Sequence, residues 1–296
     1  MELLQAAEAA VRKAADVCQR VRAEMVTPES IEKKDRSPVT VADLASQAIV
    51  IEALEPLGIP VVGEESADAL REDAAVRAKV CELAGASEAD VMRRLDAGGH
   101  AEAKGRFWTL DPIDGTKGFL RNDQYAVALA LIEEGTPVLG ALACPALNCG
   151  TVLAAERGKT PPFSVSTVTD PTQARLVESV ESGHSDQDQS VQIARALGIG
   201  RDPLRMDSQA KYAAVALGDA EVYLRLPTRP GYRERIWDHG AGLICVECAG
   251  GRVTDVDGKP LDFSRGRKLE DNRGVVATSG RFHDAVLSAV SDVLGV

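Results

Sequence analysis

An apolar segment that leads directly into two closely spaced aspartates constrains the fold of this chain more than any other feature. Trp108-Thr109-Leu110 is typical of a buried strand, and Asp111-Pro112 and Asp114-Gly115 follow it at once. We expect the proline to end the strand ladder and to fix the chain direction, because it has no N–H donor and a restricted φ. Two carboxylates on such a turn can face one point, which suits a hard cation with oxygen ligands. Taken alone, the pattern also fits a solvated turn with capping aspartates.

Two further acid clusters stand where secondary-structure elements are expected to end or begin. Gly63-Glu64-Glu65-Ser66 follows the apolar run Pro60-Val61-Val62, and Asp238 lies between Trp237 and a run of small residues. Adjacent carboxylates repel each other unless water or a cation screens their charges. Each cluster also has a structural alternative, because acids are favoured in the first turn of a helix and Asp238 fits a helix N-cap.

The segment from Thr40 to Asp43 supports two interpretations. Thr40 followed three residues later by Asp43 resembles a capping box, with Asp in place of the usual Glu. The functional alternative makes Asp43 a base beside the cation site suggested by the other acids. The residues alone leave both interpretations open.

Apolar periodicity and turn residues predict an irregular alternation of helices and strands. We expect helices at about 2–25, 40–54, 68–83, 187–197, 208–217, 238–249 and 281–294. We expect strands at about 61–62, 107–110, 125–132, 137–143, 152–155, 175–180, 220–226 and 274–278. The polar, glycine-containing stretch 85–105 predicts a surface excursion around a short helical piece.

The stretch between Gly158 and Thr172 is rich in Pro, Ser and Thr and predicts a domain boundary. We therefore expect an N-terminal α+β domain over residues 1–160, carrying most metal ligands, and a C-terminal α/β domain over residues 161–296. No apolar run approaches the roughly 20 residues that span a bilayer. The first 22 residues fit an amphipathic helix better than a signal or transit peptide. We expect a cytoplasmic protein, or an organellar one if its start is processed.

Charge and cysteine content argue against several function classes. The net charge of −11 disfavours nucleic acids and anionic membranes, so we expect neither as a partner. The six cysteines are scattered through a 296-residue chain, which predicts reduced thiols. Cys245 and Cys248 form a C-x-x-C on a predicted helix, which we interpret as a packed face, with a redox pair as the weaker alternative. A chain this acidic needs recruited cations if its ligand is an anion.

The four acid segments, in this order and spacing, resemble the lithium-sensitive, magnesium-dependent phosphatase superfamily of inositol monophosphatase. That superfamily shows a D-P-x-D-G-T loop, a G-E-E-S segment and a W-D-x-x-A-G helix start, all present here in Asp111–Thr116, Gly63–Ser66 and Trp237–Gly242. Longer stretches are most similar to its 3′(2′),5′-bisphosphate nucleotidases: Gly105–Arg121, Gly183-His184-Ser185, Asp207–Tyr212 and Tyr223–Pro227. The resemblance spans nearly the whole chain. It implies an α/β fold with an α+β N-terminal half, arranged as the layered α-β-α-β-α sandwich of inositol monophosphatase and fructose-1,6-bisphosphatase.

The resemblance also implies a role for each matching residue. Two or three Mg²⁺ ions would be held by Glu64, Asp111, Asp114, Asp238 and the carbonyl of Ile113. Asp43 and Thr116 would orient and deprotonate the attacking water. The substrate would be bound by Gly115, Thr116, His184, Ser208, Lys211, Arg225 and Asp238. Considered without the resemblance, Lys211 and Arg225 also fit ordinary surface charges, and Ser208 fits a helix cap.

The activity implied by the resemblance is magnesium-dependent hydrolysis of 3′-phosphoadenosine 5′-phosphate to AMP and phosphate, and also of its 5′-phosphosulfate relative. We expect direct attack by a metal-activated water, because a metal-bound aspartate has its lone pairs engaged and is a poor nucleophile. An inositol polyphosphate or monophosphate phosphatase is the alternative within the same class, and a catalytically silent nucleotide sensor is the alternative outside it. The expected partner is the small-molecule adenosine bisphosphate, bound by a monomer.

Overall fold

The computed structural model describes residues 2–27, 37–180, 187–229 and 231–295 of the chain. In these ranges the helices are α1 Leu3–Met25, α2 Ser37–Leu54, α3 Asp68–Glu72, α4 Ala74–Ala84, α5 Glu88–His100, α6 Thr116–Leu120, α7 Gln187–Ala196, α8 Ala210–Ala216, α9 Gly240–Cys248 and α10 His283–Leu294. The strands are β1 Val61–Gly63, β2 Arg106–Asp114, β3 Ala126–Glu133, β4 Thr136–Cys144, β5 Thr151–Glu156, β6 Leu176–Glu178, β7 Leu204–Arg205, β8 Val222–Arg225, β9 Arg252–Thr254 and β10 Val275–Thr278. Short 3-10 turns cover Glu55–Leu57, Pro171–Gln173 and Ile236–Asp238.

Two five-stranded sheets form the frame of the molecule. The first has the order β1-β2-β3-β4-β5, with β1 parallel to β2 and every other neighbouring pair antiparallel. The second has the order β7-β6-β8-β10-β9, in which β6 runs parallel to both β7 and β8 and β10 runs antiparallel to its neighbours. The first sheet therefore uses strands from the N-terminal half of the chain, and the second uses strands from the C-terminal half.

Helices cover both sheets and fill the space between them. α1 and α2 pack on one face of the first sheet, α9 packs on its other face against α8, and α8 contacts β6, β8 and β10 of the second sheet. Both faces of strand β3 are therefore buried. Leu129 and Leu131 pack in the core under α1 and α2, and Ala128 and Ala130 pack in the core with α8 and α9. A strand buried on both faces is apolar throughout. With α7 and α10 outside, the order is α-β-α-β-α, as predicted.

Helix α2 is apolar around its whole circumference because neighbours enclose it. It contacts α1, α4, α5 and β2, and its residues from Val41 to Ile51 are almost all buried. A helix that is apolar all round belongs in a protein interior. This helix carries Asp43, so its enclosure fixes that carboxylate rigidly beside the strand end of β2.

The predicted surface excursion at 85–105 was wrong. It is the helix α5, capped by the Ser87 side chain, which accepts a hydrogen bond from the Asp90 N–H. Val91, Leu95 and Gly98 are buried at helical spacing, and the helix contacts α2 and β1. The predicted short helical piece is present but is longer than expected and packs into the core, because the short apolar stripe did not outweigh the polar surroundings in the sequence.

Three other expectations about elements need correction. The single helix expected over 68–83 is two helices, because Asp73 leaves the helical conformation and caps α4 with its side chain. Pro112 does not end the ladder, since β2 continues to Asp114 after a shift of register. Strands β7 and β9 were not predicted, and their two and three residues are too few to show a period. Among the helices that the described ranges contain, none is long and apolar enough to cross a membrane.

Candidate active site

A cleft of about 630 Å³ opens where the acid clusters of the sequence meet. Its walls include eleven of the predicted site residues: Asp43, Glu64, Asp111, Ile113, Asp114, Gly115, Thr116, Ser208, Lys211, Arg225 and Asp238. The twelfth, His184, lies outside the described residues. Residues up to 195 positions apart in the chain thus converge on one cavity, Asp43 being the first and Asp238 the last of them.

The end of β2 presents both of its aspartates to the cleft because the strand contains a bulge. Asp111 pairs with Ala128 and Asp114 with Ala126, so three steps along β2 match two along β3. In a regular strand, residues three apart point to opposite faces, and one extra residue brings them to the same side. The Ser46 hydroxyl donates a 3.2 Å hydrogen bond to the carbonyl of Pro112 and holds the bulge from α2.

Gly115 follows the bulge with a φ of +89° and turns the chain into α6. A Cβ at this position would lie 2.9 Å from the Cβ of Ser208, so the close approach of the two halves also requires glycine. Thr116 is the first residue of α6 and is exposed in the cleft. The turn therefore brings the Thr116 hydroxyl and the Ser208 side chain to neighbouring parts of one wall.

Glu64 is delivered by the end of β1. Its N–H donates to the carbonyl of Leu110 over 3.2 Å, which continues the β1–β2 pairing by one residue. The side-chain amide of Gln47 holds the main chain of Glu65 with two hydrogen bonds of 2.7 and 3.1 Å. Helix α3 begins only at Asp68, so the helix-start alternative for the two glutamates is wrong.

Asp43 lies inside α2, nearly two turns beyond the helix start at Ser37. The capping-box alternative for Thr40 and Asp43 is therefore wrong, because a capping residue stands outside the helix. The Asp43 side chain is 8% exposed and faces the cleft. Helix α2 also contacts α6, which carries Thr116.

Asp238 ends the 3-10 turn that precedes α9, and His239 occupies the N-cap position without a side-chain cap. The N-cap alternative for Asp238 is therefore wrong. Gln209 fixes this turn, because its amide donates to the carbonyl of Trp237 over 2.8 Å and accepts from the N–H of Gly242 over 2.9 Å. The Gln209 N–H also donates to Oδ2 of Asp114 over 2.6 Å.

The carboxylates of the cleft raise one another's pKa. Burial raises the pKa of Asp111, and the charges of Glu64 and Asp114 add to it. The walls of the cleft and the charge of Glu65 raise the pKa of Glu64 to about 7. Burial, followed by the charges of neighbouring carboxylates, also raises the pKa of Asp43 and Asp238. Burial raises the pKa of Asp114 as well, although Lys211 and the hydrogen bond from Gln209 oppose this shift. Such mutual repulsion is relieved when cations enter the site.

The donor set fits Mg²⁺. Glu64, Asp111, Asp114 and Asp238 line the cleft together with Ile113, and a hard cation prefers such carboxylate and carbonyl oxygens. Oδ1 of Asp111 is buried and has no hydrogen-bond partner in the structure. A buried polar atom without a partner costs about 1–3 kcal/mol, and a metal–oxygen contact would remove that cost.

A cationic wall faces the acids. Lys211 is only 3% exposed, so it is not the surface charge that the sequence allowed, and its ammonium donates to the carbonyl of Ser208 over 2.8 Å. Burial lowers the pKa of Lys211 to about 8, although Asp114 opposes this shift. Arg225 is partly buried and forms an ion pair with Glu234 at 2.9 Å. The wall can therefore offer positive charge to an anion held beside the carboxylates.

Ser208 has a left-handed backbone with φ of +66°, which is uncommon for a residue other than glycine. Gln209 occupies the N-cap position of α8, and the Ser208 hydroxyl accepts from the N–H of Ala210 over 3.1 Å. Ser208 thus supports the helix start without being the cap residue itself. Backbone strain of this kind is concentrated at functional sites.

Three residues that shape the cleft were missed by sequence reasoning: Gln209, Glu234 and Arg267. Gln209 and Arg267 act on main-chain groups, and Arg267 reaches the carbonyls of Gly63 and Gly99 while it stacks 4.8 Å from the Trp237 ring. No pattern in the sequence marks such contacts, because the partners are backbone atoms far away in the chain. Other lining residues not predicted are Val39, Thr40, Glu65, Lys117, Leu120, Asp207, Tyr223 and Tyr232.

Comparisons with known proteins agree with this architecture. A family model described as the inositol monophosphatase family matches residues 1–294. A 3′(2′),5′-bisphosphate nucleotidase of Schizosaccharomyces pombe is 41% identical, covering 98% of this chain and 95% of the relative. A 3′(2′),5′-bisphosphate nucleotidase of Oryza sativa is 40% identical, covering 98% of this chain and 94% of the relative.

Solved structures share the fold. The inositol monophosphatase from Anabaena superposes with a TM-score of 0.66 at 22% identity, covering 98% of this chain and 95% of that one. Mycobacterium tuberculosis SuhB gives a TM-score of 0.67 at 22% identity, covering 99% and 97% of the two chains. The predicted layered fold is confirmed by these structures, and the predicted resemblance to the nucleotidases is confirmed by the relatives. The chain therefore belongs to the inositol monophosphatase family and, within it, to the group of the 3′(2′),5′-bisphosphate nucleotidases.

Proposed function

We propose that the chain is a phosphomonoesterase that hydrolyses 3′-phosphoadenosine 5′-phosphate to AMP and phosphate, and also removes the 3′-phosphate of 3′-phosphoadenosine 5′-phosphosulfate. The observation that carries this proposal is the cleft itself, a space of about 630 Å³ whose lining combines a carboxylate cluster with Lys211 and Arg225. The names of relatives that are about 40% identical over nearly the whole chain support the same substrate. An acidic protein can bind a doubly phosphorylated ligand here because the positive charge is concentrated on one wall.

The ligands for two or three Mg²⁺ ions are Glu64, Asp111, Asp114, Asp238 and the carbonyl oxygen of Ile113. When bound, Mg²⁺ supplies positive charge that lowers the pKa of water and stabilises charge on the phosphoryl and leaving oxygens. The four carboxylates would hold the cations, and the cations would offset the cost of ionising these groups, whose pKa values are raised in the free protein. Gln209 keeps Asp114 oriented through its N–H.

Asp43 and Thr116 move the proton of the attacking water. In this proposal the Thr116 hydroxyl accepts a proton from the water and passes its own to the Asp43 carboxylate. Water oxygen then bonds to phosphorus while the bond from phosphorus to the 3′-oxygen breaks in line, and the leaving oxygen takes up a proton. The N–H groups of Gly115 and Thr116 bind equatorial phosphoryl oxygens.

The phosphate that is not cleaved is bound by Ser208, Lys211 and Arg225, together with His184. Arg225 offers a planar fork to the phosphate oxygens, and Lys211 adds a compact charge. Ser208 adds a hydroxyl donor beside Gly115. Binding energy from this remote phosphate positions the reacting one.

We also propose that the chain is a monomer of two domains, 1–160 and 161–296, with the cleft at their junction. Each five-stranded sheet draws its strands from only one of these segments, which supports the division. The first segment supplies most metal ligands, and the second supplies Asp238 and the cationic wall. Neither segment carries a complete site under this proposal.

The test is phosphate release with Mg²⁺ from 3′-phosphoadenosine 5′-phosphate, inositol 1-phosphate and AMP. We expect rapid release from the bisphosphate alone by the wild type and none by Asp114→Asn. Asp257→Asn is the matched control, because Asp257 pairs with Arg273 away from the cleft. Preference for inositol 1-phosphate would retain the metal site but overturn the nucleotide assignment. Nucleotide binding without release from any compound would favour a sensor.

Isotopically labelled water tests the direct attack. Under single turnover, the label should appear in the released phosphate and not in the protein. Label found first in the carboxylate of Asp111 or Asp114 would mean that an aspartate is the nucleophile.

The redox alternative for Cys245 and Cys248 gains no support, because burial raises the pKa of both thiols and so disfavours the reactive thiolate.

A further inference from the structure

Behind Arg225 lies a buried polar chain that the proposed reaction does not use. Glu234 is 6% exposed, and its two carboxylate oxygens engage one edge of the Arg225 guanidinium, with 3.1 Å to Nε and 2.9 Å to Nη2. Such a two-point contact fixes both the position and the plane of the guanidinium. The remaining donors of Arg225 are therefore held in one orientation at the wall of the cleft.

Glu234 is itself held from behind. His239 is buried, with only 1% of its surface exposed. The Tyr212 hydroxyl lies 2.8 Å from Nδ1 of His239, and Nε2 of His239 lies 3.4 Å from the Glu234 carboxylate. Because the Glu234 carboxylate can only accept, the Nε2–H of His239 donates to it, and the Tyr212 hydroxyl donates to Nδ1 of His239.

Packing locks the far end of this chain. Tyr212 is fully buried, and its ring contacts Tyr223 edge to face with centroids 5.0 Å apart. A Cβ at Gly242 would lie 2.3 Å from Tyr212 ring carbon atoms, so α9 presses directly on the tyrosine. The main-chain carbonyl of Glu234 also accepts a 2.9 Å hydrogen bond from the Leu269 N–H.

We propose that Glu234 is a positioning residue that fixes Arg225 for the second phosphate of the nucleotide, and thereby determines the preference for a bisphosphate over a monophosphate. This inference rests on the proposed function. Glu234 does not touch the substrate in this scheme. It acts by holding one edge of the guanidinium, so that the other edge meets the phosphate already oriented.

The test compares KM and kcat for adenosine 3′,5′-bisphosphate with those for adenosine 3′-phosphate, which lacks the second phosphate. We expect Glu234→Gln to raise KM for the bisphosphate by about tenfold or more with much less change in kcat. For adenosine 3′-phosphate, the fold-increase in KM caused by Glu234→Gln should be about ten times smaller than for the bisphosphate. Glu234→Asp, which keeps the charge, should recover part of the lost affinity.

Glu178→Gln is the matched control. Glu178 is also a buried glutamate paired with an arginine, at 2.9 Å from Arg205, but it does not line the cleft. Glu178→Gln should leave unchanged the ratio of kcat/KM for the bisphosphate to kcat/KM for adenosine 3′-phosphate. AMP binding measured by calorimetry gives a readout that does not depend on turnover, and Glu234→Gln should weaken it.

A double variant shows whether Glu234 acts through Arg225. If it does, the variant that combines Glu234→Gln with Arg225→Met will have the same kcat/KM for the bisphosphate as Arg225→Met alone. Equal losses on both substrates, or additive losses in the double variant, would overturn the positioning role. If the wild type does not hydrolyse the bisphosphate, the proposed function fails first and the inference falls with it. If the wild type does hydrolyse it and Glu234→Gln behaves as wild type, only the inference fails.

Discussion

The main-chain N–H of Gln209 donates a 2.6 Å hydrogen bond to Oδ2 of Asp114, so the start of α8 in one half of the chain orients a carboxylate at the end of β2 in the other. The bond spans 95 residues of sequence. Burial raises the pKa of Asp114, and the charge of Asp114 adds to the causes that raise the pKa of Glu64, Asp111 and Asp238. Its charge is therefore unfavourable in the metal-free protein, although its orientation is fixed.

Asp114→Asn should consequently stabilise the metal-free protein and abolish its response to Mg²⁺. In EDTA we expect the free energy of unfolding to rise by about 1–2 kcal/mol, because a repelling charge is gone while an amide oxygen can still accept from Gln209. Wild type should gain about 3 kcal/mol from Mg²⁺ at a hundred times its Kd. Thermal melts with EDTA and with Mg²⁺ measure both effects. A variant that melts lower in EDTA and still gains stability from Mg²⁺ would contradict the metal site, and Asp257→Asn should respond like wild type.

Arg267 connects the two loops that carry Glu64 and Asp238, and its loss should weaken metal binding. Its guanidinium donates to the carbonyls of Gly63 and Gly99 and stacks on Trp237, the residue before Asp238. Arg267→Ala should lower stability by about 2–3 kcal/mol, because buried carbonyls lose a charged donor. It should also weaken Mg²⁺ binding by about tenfold, measured by calorimetry.

Arg267→Lys should recover less than half of the loss, because an ammonium cannot bond both carbonyls in the same fork. Arg265→Ala provides the control two residues away, since Arg265 pairs with Asp271 at the surface. Unchanged Mg²⁺ affinity in Arg267→Ala, with stability reduced, would limit the arginine to a structural role.

Gly242→Ala should destabilise the protein through overpacking. A Cβ there would meet three atoms of Tyr212 at 2.3 to 2.6 Å, and Tyr212 is enclosed on all sides. We expect a loss of about 1–3 kcal/mol in the free energy of unfolding by urea. Gly200→Ala is the comparison, because a Cβ at Gly200 meets no atom within 4 Å and its φ is ordinary. Equal stability of the two variants would show that α9 and α8 can separate at little cost.

His283 should make the protein less stable in acid. Burial, followed by the charge of Arg252, lowers the pKa of His283 from 6.5 to about 4. The unfolded state then binds more protons between these two values, so the free energy of unfolding falls as pH drops from 6.5 towards 4. The full effect is about 3 kcal/mol at 1.4 kcal/mol per pH unit.

His283→Asn removes this contribution, and denaturant titrations at several pH values will show it. The difference in stability between wild type and variant should shrink as pH falls from 7.5 to 4.5. The cleft carboxylates titrate in both proteins and cancel in that difference. A difference that stays constant with pH would mean that His283 keeps its ordinary pKa.

The sequence predicted which acids come together in one cleft, because most of them stand at the end of an apolar strand or in a motif with a physical reason for its spacing. The layers were predicted by the family resemblance, and not by the periods of the strands and helices. The sequence could not predict the roles of Gln209 and Arg267. Gln209 contacts the N–H of Gly242, 33 residues away, and Arg267 contacts the carbonyl of Gly63, 204 residues away. Both partners are main-chain atoms, which every residue has, so no residue type marks them. The length and the burial of helix α5 were underestimated, because its apolar stripe holds only a few residues. The burial of Lys211 could not be predicted from the sequence either, because elements from both halves of the chain enclose its side chain.

The bulge in β2 has a consequence for how such a gene can change. Surface loops tolerate inserted or deleted codons, because their backbone has room to adjust. Between Asp111 and Asp114, deletion of one codon would remove the bulge, and with it Pro112 or the proposed ligand Ile113, while the strand stayed paired with its neighbour. The altered protein would fold and accumulate without a complete site. Length changes in this one turn are therefore expected to appear as stable, inactive products and not as missing protein.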